Sequence, residues 1–165
     1  MKFPKVRKKR TAGAEPARQY AALPWRMGEG AEILLASSRE TRRWVIPKGC
    51  PMKRRKPHMT AAIEALQEAG LLGKIAKTKF GSFHYQKRLK TGAVILCRVD
   101  VFLLKVLRQR KSWPEKDQRI TQWFSPAEAA RLVEEPELSE LIKSFEAVVA
   151  RDQSFDAASA PQTRG

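Results

Sequence analysis

Two carboxylates stand four residues apart in the stretch WVIPKGCPMKRRKPHMTAAIEALQEAGL, residues 44–71: Glu64 and Glu68. On a helix turning roughly 100° per residue they lie about 40° apart, close enough to share a ligand. Like charges at this spacing destabilise an isolated helix by a few tenths of a kcal/mol, so the pair is either a plain solvated face or a place for a cation. Upstream, Gly49 lacks the side chain that would keep its backbone carbonyl away from the same ligand. Two carboxylates and a carbonyl make an oxygen-only site suited to Mg²⁺ or Mn²⁺, cations that keep waters and bind substrate phosphates.

The elements that must position these residues are legible in outline. Tyr20–Met27 and Glu32–Ser38 are apolar runs around Gly28-Glu29-Gly30, which predicts a hairpin. Trp44–Ile46 is a third strand, stopped by Pro47. A helix follows over Pro57–Ala69, with Pro at its first position and Gly70 at its end. Its spacing marks Ala62, Ala65, Leu66 and Ala69 as the buried stripe, with Glu64 and Glu68 on the other side. Phe80–Leu89 and Ala93–Leu107 read as strands around Lys90-Thr91-Gly92, and Trp123-Phe124 ends another. Ser125 caps a helix over Pro126–Val133, and Pro136–Arg151 carries Leu138, Leu141, Ile142, Phe145, Val148 and Val149 at helical spacing. The pattern is that of a mixed α/β (α+β) domain over residues 19–151. Residues 1–18 read as a basic disordered arm and residues 152–165 as a loose tail.

The chain has 165 residues, enough for one domain with a sizeable core. Its net charge of +16, from 33 Lys and Arg against 17 Asp and Glu, attracts polyanions. Six of the cations fall in residues 1–10, and eight in residues 39–56: Arg39, Arg42, Arg43, Lys48, Lys53, Arg54, Arg55 and Lys56. The arm could hold nucleic acid without sequence preference, although no signature of a dedicated nucleic-acid module is present. The basic start lacks the apolar segment of a secretory signal, and no apolar run is long enough to cross a membrane. Cys50 and Cys97 form no CxxC motif or disulfide framework, which suits a reduced, cytoplasmic protein, monomer or homodimer.

The segment resembles the Nudix box, G-x5-E-x7-R-E-U-x-E-E-x-G-U, where U is bulky and apolar. Gly49, Glu64, Glu68, Gly70 and Leu71 fall at the pattern's spacing, and Ala65 is apolar but small. WVIPKGCPMK, FHYQKR and the later WF-SPAEA segment look most like bacterial Nudix proteins related to diphosphoinositol polyphosphate phosphohydrolases. The resemblance covers roughly residues 18–147. It departs from the pattern at Arg55, in place of the first Glu, at Ile63, in place of a bracing Arg, and at Gln67, in place of one of the clustered glutamates. A neutral Gln67 can neither contribute charge nor accept a proton as a carboxylate does.

The resemblance implies an α/β/α sandwich around a mixed sheet and attack of water on a diphosphate linkage in a nucleoside-diphosphate or inositol-polyphosphate type substrate. It makes Glu64 and Glu68 the catalytic carboxylates and, with the Gly49 carbonyl, the holders of Mg²⁺ or Mn²⁺. The base is open between Glu68 and a loop carboxylate, Glu115 or Asp117, although residues of that kind are more often plain loop surface. Arg39, Lys48, Lys87 and Arg88 are implied near the phosphates; Lys53 and Arg119 join them as cations suited to phosphate contact. Tyr20, Trp25, Trp44 and Tyr85 could stack on a base, although Trp44 at a strand end reads more naturally as core. The alternative reading is a module that has lost turnover and binds a polyanion, nucleotide or nucleic acid; Ile63 and Gln67 favour it.

Overall fold

The computed structural model describes residues 15–159, with side chains up to residue 149. Among these residues the strands are β1 (Ala17–Met27), β2 (Ala31–Ser37), β3 (Trp44–Val45), β4 (Lys48–Gly49), β5 (Leu71–Ile75), β6 (Gly81–Arg88), β7 (Val94–Gln109) and β8 (Thr121–Phe124). Among the described residues the helices are α1 (Pro57–Ala69), α2 (Pro126–Leu132) and α3 (Pro136–Ser159). The strands form one mixed sheet with the path β3-β2-β1-β7-β5; β4 pairs with β1, β6 with β7 and β8 with β2. β1 and β7 run parallel, from Ala17 opposite Cys97 to Trp25 opposite Lys105, and the remaining pairs are antiparallel.

Alternation along the strands builds a core on each face of the sheet. Ala21, Leu23, Trp25, Ile33, Leu35, Val99 and Val101 meet Ala129, Ala130, Leu138, Ile142 and Phe145 of α2 and α3. The intervening Tyr20, Ala22, Leu34, Phe102 and Leu104 meet Ala61, Ala65 and Ala69 of α1. The expected α/β/α sandwich is therefore present. Phe145 and Ile142 are completely buried, and each such side chain contributes about 1.5–3 kcal/mol of transfer free energy. Trp25 packs edge-on to Phe145 with centroids 5.7 Å apart, and Trp44 packs likewise on Phe124 at 5.0 Å. With Tyr20 also in the core, these three rings serve packing rather than base stacking.

Several sequence expectations need correction. The inward row of α1 is Ala61, Ala65, Glu68 and Ala69, with Thr60 above it, while Ala62 and Leu66 are only half-buried. An i, i+4 row of alanines lets the helix approach the sheet closely, and Glu68 turns inward because donors await it there. β3 ends at Val45, and the short β4 and β5 were not anticipated. β1 begins at Ala17, inside the expected arm, whose residues 1–14 lie outside the described residues. α3 continues to Ser159, so residues 152–159 are helical and not a loose tail; residues 160–165 lie outside the description. The chain offers no Pro or Gly between Pro136 and Pro161 to stop that helix. No helix among the described residues is long and apolar enough to cross a membrane.

Candidate active site

Strand β4 and helix α1 meet where Gly49 faces Glu64. A Cβ on Gly49 would stand 2.3 Å from the Glu64 carboxylate, so only glycine permits this approach. One residue earlier, the Lys48 N–H donates to Glu68 Oε2 at 2.9 Å. From the far side, Arg119 Nη2 reaches Glu68 Oε1 at 3.0 Å, and both side chains are about nine-tenths buried. The loop before β8 thus supplies Glu68, but not Glu64, with a side-chain cation. Arg119 also donates through Nε to Glu115 Oε1 at 3.0 Å and through Nη1 to the Ser37 carbonyl at 3.2 Å. It is held within the network rather than free to reach into the cleft.

The loop that delivers Glu115 and Arg119 is seated on the C-terminal end of α1. The Glu115 N–H donates to the Gln67 carbonyl at 3.0 Å, and the Arg110 N–H donates to the Gly70 carbonyl at 2.8 Å. Such bonds satisfy carbonyls that a helix end leaves without intrahelical partners. Gly70 itself adopts the left-handed conformation, with φ at 70°, and the Trp113 ring lies against it.

Burial and charge set the chemistry of the carboxylates. Burial pushes the Glu68 carboxyl up to about 7, against the opposing pull of Arg119 and Lys48. Glu64 is also raised, by burial first and then by the neighbouring Glu115 charge. Glu64 makes no ion pair or side-chain hydrogen bond among the described residues. Lys48 is lowered by burial, and its Nζ lies 5.0 Å from the centroid of the Tyr85 ring. The Tyr85 hydroxyl in turn donates to Gln19 Oε1 at 2.6 Å.

These groups line a cleft of about 1040 Å³. It brings together Gly49, Glu64, Glu68 and Glu115 with Arg39, Lys48, Lys87, Arg88 and Arg119. Lys53 is exposed in the turn before α1 and lies outside the cleft, as do Asp117, Arg55, Ile63 and Gln67. Sequence reasoning missed Arg43, which lines the cleft bonded to Glu135 at 2.6 Å and to Glu134 at 3.3 Å. No local signal marks a pair whose members are so distant along the chain.

Over 138 residues the chain is 30% identical to diphosphoinositol polyphosphate phosphohydrolase 2 of Rattus norvegicus, an alignment covering 81% of this chain and 72% of that one. The chain belongs to the Nudix hydrolase family. It is also similar to Nudix hydrolase 12, mitochondrial, of Arabidopsis thaliana, at 29% identity over 104 residues, which is 61% of this chain and 51% of the relative. The chain therefore spans about half the length of that plant protein. No family model matches. In fold it is similar to the C. elegans Ap4A hydrolase, with a TM-score of 0.60 and 16% identity, covering 82% of this chain and 99% of that one.

Nudix hydrolases generally use divalent cations, and the donors present here fit one. Among the described residues no three His, Cys, Asp or Glu side chains form a metal-ligating cluster. Mg²⁺, however, commonly takes one or two protein carboxylates and completes its shell with water and phosphate oxygens. The missing Cβ at Gly49 and the unpaired Glu64 carboxylate beside it provide such a partial, oxygen-only set.

Proposed function

We propose that this chain hydrolyses a diphosphate linkage in a densely phosphorylated small molecule, with a divalent cation held by Glu64, Glu68 and the Gly49 carbonyl. The observation that carries this reading is the composition of one cleft, in which the carboxylates of α1 share a lining with Arg39, Lys48, Lys87 and Arg88. The guanidinium groups offer paired donors to phosphate, and the lysines compact charges. When bound, Mg²⁺ or Mn²⁺ supplies positive charge that neutralises phosphate oxygens and acidifies water. Glu115 is the proton acceptor of this scheme: it lines the cleft, its Oε2 takes no partner among the described residues, and both oxygens of Glu68 already accept donors. Asp117 lies outside.

The lining also favours an inositol-polyphosphate type substrate over a nucleoside diphosphate. Among the described residues Tyr85 and His84 are its only aromatic rings. Lys48 already lies over the first, and Glu137 binds the second, its Oε1 standing 3.0 Å from His84 Nδ1. No free ring is left as a platform for a base.

The test is phosphate release from inositol pyrophosphates, dinucleoside polyphosphates and nucleotide sugars with Mg²⁺ or Mn²⁺, for the native chain, Glu64→Gln and Glu115→Gln. Metal-dependent turnover on inositol pyrophosphates, reduced about 100-fold or more by each substitution, is expected. The second reading, a polyanion-binding module without turnover, is favoured by the Arg119–Glu68 ion pair, which occupies one of the carboxylates the reaction needs. No release by the native chain, with tight metal-independent binding of the same compounds, would establish it.

A further inference from the structure

The cleft leaves much of the molecule's positive charge unused. Residues 71–111, the β5–β6–β7 unit, hold eleven Lys and Arg against one carboxylate, Asp100, whereas residues 112–149 hold four against eight. β6 and β5 lie end to end along one side of β7, β6 against Val94–Val101 and β5 against Leu104–Gln109. Lys87 and Arg88, at the β6 end, belong to the cleft.

At the β5 end the exposed cations are Lys74, Lys77, Lys105, Arg108, Arg110 and Lys111, none of which lines the cleft or forms an ion pair among the described residues. Lys74 stands directly opposite Lys105 in the strand register. Like charges at opposed positions destabilise a strand pair, and protecting an edge from aggregation needs a lysine or two, not six cations. Leu107, 63% exposed, lies among them. Trp25 is buried beneath Lys105, whose Nζ is 5.6 Å from the ring centroid, and Trp113 packs on Gly70.

We propose that this end of the sheet is a second binding surface, separate from the cleft, which docks on the phosphodiester backbone of a double-stranded nucleic acid. Dense unpaired cations match a surface of fixed, closely spaced phosphates. Among the described residues this end carries no exposed aromatic ring, which argues against a single strand, whose binding draws on stacked bases. At this end of the sheet the described residues offer a membrane one exposed leucine and no helix, little to hold beyond charge.

The experiment is fluorescence anisotropy of short duplexes, DNA and RNA, titrated with the full chain over a range of salt. The Lys74→Gln/Lys105→Gln/Arg108→Gln variant should bind at least about tenfold more weakly, and its slope of log K against log salt should fall by roughly 2.7, about 0.9 per lost phosphate contact. Its melting temperature should be at or slightly above the native value, because the repulsion between Lys74 and Lys105 is gone, and its diphosphate hydrolysis should be unchanged. Lys87→Gln/Arg88→Gln should bind the duplex as the native chain does. Unchanged duplex affinity in the triple variant would overturn the proposal. Tighter binding to the single strand, or capture of anionic vesicles but not duplex through these residues, would overturn it too.

Discussion

Glu68 lies in the alanine row of α1, with an amide on one oxygen and a guanidinium on the other. Its carboxyl group is pushed up to about 7 because burial outweighs those two donors. The folded chain therefore holds this proton more tightly than the unfolded chain does. The stability this confers is complete below the ordinary carboxylate range and is lost as pH rises through 7. Glu68→Gln removes the titration and leaves Arg119 its bond to Glu115. In metal-free solution, calorimetry should show the native chain losing melting temperature between pH 5 and 8 and the variant losing less. At pH 8 the variant should melt higher by on the order of 5 °C; parallel pH profiles would refute this account. Gly49 makes a sharper demand. Gly49→Ala places a methyl 2.3 Å from the Glu64 carboxylate, so the end of that side chain must swing away from the Gly49 carbonyl. Titration calorimetry with Mn²⁺ should show at least about tenfold weaker binding, with a melting temperature that changes little because the site is at the cleft margin.

At the scale of elements, α1 and the loop after β7 act as one unit. Trp113 lies on Gly70, and two backbone bonds fix the loop to the helix end, which sets Glu115 and Arg119 beside Glu68. Gly70→Ala would be strained by the left-handed φ of 70° and would drive a methyl to 2.3 Å from the Trp113 ring. The expected cost is about 2 kcal/mol in urea unfolding, with a larger proportional loss of turnover as the loop lifts away. Equal, small effects on both would show that the loop does not depend on this contact. Much of α1 was legible: Pro57 and Gly70 mark its ends as well in the sequence as in the structure. Its rotation was not. Ala62 and Leu66 are as apolar as Ala61 and Ala65, and what selects between the two faces is a pair of donors from β4 and the distant loop. The two-residue β4 was equally hidden, because its pairing partners Tyr20 and Ala21 carry no mark of it.

For the whole molecule, the sandwich was readable because alternation along β1, β2 and β7 and the periodic apolar face of α3 are long, regular signals. The spacing of the box placed Gly49, Glu64 and Glu68 together without any view of the fold. Arg119 was singled out for its charge alone, and its place as counter-ion depends on a loop packing that no local pattern records. The parallel alignment of β1 and β7 has one more consequence. Its partners, Ala17 and Cys97 at one end, are far apart in the chain, and pairings of that kind form slowly because a long loop must close first. β1 also holds β4, and β8 follows the loop that carries Arg119. During synthesis α1 therefore leaves the ribosome well before its counter-ion exists, and its acidic face waits in solvent until the last strand is made. The cleft is therefore completed late in folding, so a chain stalled before β8 lacks Arg119 beside Glu68.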